Sequence, residues 1–154
     1  MPFSYTKLGM TLLVLALMAG VAEGVQQARA GQEVRACEIL DLQGASRVIG
    51  PGAEHPGGDA ERDMCLYSSP GVAMLTIHLW PADSYDQVTI LKPHTPVQIG
   101  DKARYNVQKN GVVAIQLVTG SHSATLNVQP IGKPKTDYLE PLLSAAREVA
   151  ARLR

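Results

Sequence analysis

The sequence predicts an α+β fold: an antiparallel sheet of about five strands with helices packed against it, in the order αββαβββα, stapled by one disulfide. Three observations carry this reading. Residues 72–80 alternate, with Ala73, Leu75, Ile77 and Leu79 on one side and Val72, Met74, Thr76, His78 and Trp80 on the other, the period of a strand. Residues 102–129 hold three short apolar runs separated by turn signals. Residues 137–153 place Tyr138, Leu142, Ala145, Val149 and Leu153 along one helical stripe.

The N-terminus comes first. Lys7 precedes an uncharged stretch, residues 8–22, rich in Leu, Val and Met. As a helix it would span roughly 22 Å, short of the ~30 Å hydrocarbon core that a stable crossing needs. A polar stretch follows, and then Ala28-Arg29-Ala30, a small-x-small cleavage pattern. Residues 1–30 therefore read as a cleavable signal peptide and residues 31–154 as a single domain in the periplasm or outside the cell; the alternative is a retained N-terminal anchor. No cysteine sits at the end of the signal to carry a lipid. Cleavage removes Lys7, Arg29 and Glu23 from the 14 basic and 14 acidic side chains, leaving 12 and 13. A surface that close to neutral gives no electrostatic footprint for nucleic acid.

Two cysteines remain, Cys37 and Cys65. An even count in an oxidising compartment favours a bridge, which across a loop of about 29 residues would contribute roughly 3–4 kcal/mol in the chain-entropy model. The alternative is a pair of free or metal-bound thiols, but the Cys-x-x-Cys spacing of a zinc site is absent.

Along the mature chain, residues 34–49 read as one helix, or as two short turns broken near Asp41 and Gly44, with Gly50-Pro51 as the stop. Residues 50–63 form a glycine- and proline-rich loop inside the disulfide. Cys65-Leu66-Tyr67-Ser68 is a short strand ending at Ser69-Pro70-Gly71, followed by the alternating strand over 72–80. Asp83-Ser84 caps a short helix through Leu91, ended by Pro93 and Pro96. In the meander, Ala103, Tyr105 and Val107 point inward before the Asn110-Gly111 turn. Val113, Ile115 and Leu117 line the next strand, and Ala124, Leu126 and Val128 the last. Pro141 falls in the first turn of the final helix, where its missing N–H costs nothing.

Candidate chemistry is thin. Of four histidines (His55, His78, His94, His122), His55 lies with Asp59, Glu61 and Asp63 in an acidic loop that could hold a cation, yet the spacing matches no calcium motif. His78 could approach His122 if their strands pair. Ser121-His122-Ser123 and Ser68-Ser69 offer hydroxyls, but no Gly-x-Ser-x-Gly elbow, phosphate loop or dinucleotide fingerprint accompanies them. No cofactor and no resident metal are expected, and the chain reads as a non-enzyme. The feature with most to offer a partner is the Met74, His78 and Trp80 face: Trp is enriched at binding hot spots and Met adapts to varied surfaces. The competing reading is that a helix covers it.

Ala36-Cys37-Glu38-Ile39-Leu40, then Val48-Ile49-Gly50, then Cys65-Leu66-Tyr67, then Val97-Gln98-Ile99-Gly100-Asp101-Lys102-Ala103 and an Ala-rich final helix together resemble a loose class of small exported bacterial proteins and lipoproteins of unknown function. The resemblance covers about residues 36–153. It implies a Cys37–Cys65 disulfide and an α+β domain without a catalytic site, and supplies no activity. The expectation is an exported binding or accessory domain for a protein, peptide or cell-envelope component, with no nucleic-acid partner and no membrane anchor after cleavage. The alternatives are a small-ligand or metal carrier and, third, an enzyme without a recognisable motif.

Overall fold

The structure is a computed structural model that describes residues 34–55, 62–88, 90, 92–134 and 136–154. Residues 1–30, expected to be a signal peptide, and residues 56–61 of the long loop lie outside the described residues.

Six strands form one antiparallel sheet in the order β1-β2-β6-β5-β4-β3. They are β1 (Met64–Ser69), β2 (Ala73–Pro81), β3 (Thr95–Val97), β4 (Lys102–Val107), β5 (Val113–Thr119) and β6 (His122–Pro130). The helices are α1 (Ala36–Ile39), α2 (Leu42–Ile49) and α3 (Leu139–Arg152). The α+β reading holds, with one strand more than expected. Pro96, read as a stop signal, lies in β3, a three-residue strand paired only to β4. A proline there is tolerable because β3 is an edge strand with no outer neighbour to receive a hydrogen bond.

Register sorts every side chain to one of two faces. Cys65 pairs with Ile77, Ile77 with Leu126, Leu126 with Ile115, and Ile115 with Tyr105. This row and its neighbours Ala73, Leu75, Leu79, Ala124, Val128, Val113 and Leu117 form the inner face under the helices, all buried but the half-buried Tyr105. Each fully buried aliphatic side chain contributes about 1.5–3 kcal/mol, and this face holds most of the largest fully buried ones. The α3 stripe of Tyr138, Leu142, Ala145, Val149 and Leu153 is buried as its spacing requires. Ala146 and Ala150 are buried too and bring the helix close to the sheet.

The N-terminal helical segment breaks between α1 and α2, at Leu40-Asp41. Asp41 becomes the N-cap of α2, its carboxylate accepting the Gly44 N–H at 2.7 Å. Gly44 sits inside α2 because a Cβ there would lie 2.5 Å from Leu40 Cδ1. Two expectations are corrected. The helix expected to run through Leu91 is only a 3-10 turn, Ala82–Asp86. Val107, expected inward, is 49% exposed, because it lies beyond Thr95↔Tyr105, the last β3–β4 pair. The Asn110-Gly111 turn forms as read: Gly111 donates to Gln108 O at 2.9 Å and adopts φ 83°, a left-handed backbone that glycine accepts without strain.

Candidate functional site

The opposite face of the sheet carries the residues of interest. The even positions of β2, namely Met74, Thr76, His78 and Trp80, are half-buried. Beside them lie Met64 and Leu66 of β1, also half-buried, and Thr125, Asn127 and Gln129 of β6. The helices share their core with the inner face, so the reading in which a helix covers Trp80 gives way to a different arrangement.

The segment that begins with the 3-10 turn Ala82–Asp86 covers the β4–β5 half of this face. Gln116 of β5, fully buried, donates its amide N–H groups to the carbonyls of Tyr85 and Val88, each at 2.9 Å. Arg104 of β4 donates Nε–H to Gln116 Oε1 at 2.9 Å and Nη2–H to Tyr85 O at 3.0 Å. Its guanidinium also stacks on the Tyr85 ring, 4.5 Å from the centroid, and Lys102 Nζ lies 4.2 Å from the same ring. Burial pushes the Tyr85 phenol above its ordinary range, the Arg104 charge opposing. Asn106 extends the attachment by donating to Pro93 O at 2.6 Å. These bonds hold the cover over β4 and β5, and its 3-10 turn also touches β6 and β2.

On the β1–β2 side the His78 and Trp80 rings lie 5.4 Å apart with planes tilted 33°. Trp80 Nε1 and Thr125 Oγ1 are buried and have no hydrogen-bond partner among the described residues. Buried polar groups are seldom left unpaired, since each costs about 1–3 kcal/mol. The patch therefore joins apolar area (Met64, Leu66, Met74, Trp80) to under-used polar groups, rimmed by exposed Asn127 and Gln129.

Other candidates fare differently. His78 and His122 are not brought together: His78 pairs with Thr125 while His122 pairs with Pro81, on the opposite face. Ser121 Oγ lies 3.3 Å from His122 Nδ1 in an exposed turn, and neither makes a hydrogen bond to a carboxylate among the described residues. Asp59 and Glu61 lie outside the described residues, and Asp63 is exposed, its carbonyl accepting from Leu79 N–H at 2.7 Å. His55 instead meets the bridge. Cys37 and Cys65 form the disulfide, Cα atoms 5.0 Å apart, and His55 Nε2 lies 3.2 Å from Cys37 Sγ.

The chain matches no family model, no curated protein and no solved structure.

One further concavity, of about 460 Å³, opens on the helix side between α3 and residues 98–100, lined by Ile99, Arg147, Ala150 and Arg154 among others. Sequence reasoning found the Met74, His78 and Trp80 face but missed its β6 half and the Gln116–Arg104 attachment. The signals were present. Thr125, Asn127 and Gln129 alternate with apolar neighbours, and Gln116 stands alone in an apolar run, as a buried hydrogen-bonding group does.

Proposed function

We propose that this chain is an exported, non-enzymatic binding domain of the periplasm or extracellular space, recognising a protein, peptide or cell-envelope component through the open half of its sheet. The observation that carries the reading is the division of labour between faces. The three described helices share the core of the inner face, while Met74, His78 and Trp80 are only half-buried on the other. An aromatic anchor with adaptable Met neighbours and a polar rim is the anatomy of a recognition patch. The disulfide fits an oxidising compartment, and among the described residues no helix is long and apolar enough to cross a membrane. The resemblance to small exported proteins points the same way.

The test is affinity. With a partner captured from the exported fraction, Trp80→Ala and Met74→Ala are expected to weaken binding at least tenfold, about 1.4 kcal/mol, while Ser144→Ala on the exposed side of α3 has no effect. Unchanged affinity in both variants would remove the patch from consideration.

A carrier of small anions is the second reading, favoured by the α3 concavity, where Arg147 and Arg154 make no ion pair among the described residues. A native mass spectrum with extra mass that disappears in Arg147→Ala would move that reading to the front.

A further inference from the structure

We propose that the Cys37–Cys65 disulfide is a site of thiol–disulfide exchange, entered at Cys37 and assisted by the imidazole of His55. The proposal stands independently of the open sheet face.

Two observations converge on this corner. The first is placement. His55 follows Glu54, whose N–H and C=O pair with Ser68 O and N–H of β1 at 2.7 and 2.8 Å. That bridge delivers the imidazole to the sulfurs, and the ring packs edge-on against Tyr67, centroids 5.7 Å apart. Tyr67 is itself fixed by its hydroxyl, which donates to Leu40 O. The ligating atoms of Cys37, His55 and Cys65 all lie within 4.8 Å of one another. The second observation is asymmetry. Cys65 is 1% exposed, whereas Cys37 is half-buried and borders the exposed His55. An incoming sulfur reaches Cys37 first.

The chemistry balances with two equivalents of a thiol, RSH, as reductant. The thiolate RS⁻ attacks Cys37 Sγ and the disulfide bond breaks. Its electron pair passes to Cys65 Sγ, which takes up the proton RSH gave to solvent. A mixed disulfide, Cys37–S–S–R, remains. A second thiolate attacks the R sulfur, releasing RSSR and leaving Cys37 as a thiolate beside His55, where the second proton resides on the imidazole. Two electrons and two protons have moved to the protein. Where both thiols belong to one molecule the same sequence oxidises a dithiol partner; the reverse sequence reduces a disulfide and re-forms the Cys37–Cys65 bridge. A histidine cation next to a cysteine favours its thiolate, and stabilising the reduced form makes a disulfide the stronger oxidant.

The experiment equilibrates the full exported chain in glutathione buffers of graded reduced-to-oxidised ratio and reads the reduced fraction by mass after alkylation. His55→Ala, and His55→Phe, which keeps the ring against Tyr67, are expected to shift the midpoint toward stronger reducing conditions by on the order of tenfold in the equilibrium constant. Cys65→Ser should trap glutathione at Cys37, and Cys37→Ser should trap far less at the buried Cys65. Midpoints within twofold of the natural chain, a natural chain that stays oxidised at every ratio, or equal trapping at both cysteines would each overturn the proposal. Both His55 variants keep the disulfide, so their result stands even where a cysteine variant fails to fold.

Discussion

Gln116 and Arg104 are cross-strand partners on β5 and β4, joined by a 2.9 Å hydrogen bond from Arg104 Nε–H to Gln116 Oε1. Together they hold the carbonyls of Tyr85 and Val88, and so anchor the cover over the second face of the sheet. A helix through Leu91 would have used those carbonyls internally. Their capture by the sheet is the physical reason the segment stops as a single 3-10 turn.

Gln116→Leu is accordingly expected to cost about 1–3 kcal/mol, because it fills the same space and withdraws three hydrogen bonds from a buried site. Hydrogen exchange should rise selectively over residues 82–88 while α3 stays protected. Urea unfolding with exchange mass spectrometry checks both.

Asp41 gives a pH signature. The Gly44 N–H holds its carboxyl below the ordinary carboxylate range; desolvation opposes this, and the Arg152 and Arg47 charges add to it. A folded value below the unfolded one, about 3.9 for a free Asp, means the cap's contribution is complete above that value. It is lost as pH falls through the lower folded value. The stability gap between the natural chain and Asp41→Ala should stay constant between pH 5 and 8 and close in acid; thermal unfolding across that range measures it.

Much of this was legible in the sequence, wherever one period ran long enough. The alternation of residues 72–80 put Leu75 and Ile77 on one face and His78 and Trp80 on the other without deciding which the helices cover, and the spacing from Tyr138 to Leu153 fixed the buried face of α3. What failed were features decided by distant partners. Pro96 reads as a terminator unless Arg104 is known to lie beside it. The contact of His55 with Cys37 crosses 18 positions and depends on the Glu54–Ser68 bridge. Which side of the sheet the helices choose is also a tertiary decision, and it settles the exposure of Trp80.

Trp80→Phe separates stability from recognition. The indole N–H it deletes has no acceptor among the described residues, so relief of an unpaired donor, about 1–3 kcal/mol, offsets the smaller ring. The urea midpoint should correspond to a change within about 1 kcal/mol, while affinity for a captured partner falls. A large loss of stability would mean the indole serves the fold.

Replacing both cysteines with serine should lower stability by roughly 3–4 kcal/mol, the chain-entropy value for a loop of this size. Chemical unfolding beside the oxidised chain provides the comparison. A loss under about 1 kcal/mol would show that the hydrogen bond of Tyr67 to Leu40 and the surrounding packing hold α1 on β1 without the bridge.

The most direct test of the proposed recognition surface is photocrosslinking in cells that express the chain. A benzophenone side chain is placed at His78 and, as a control, at the exposed Ser144 of α3. A discrete adduct is expected from position 78, absent from position 144, that weakens when Trp80→Ala is added. Equal yields from the two positions, or adducts from position 144 alone, would mean that the open face is not the recognition surface.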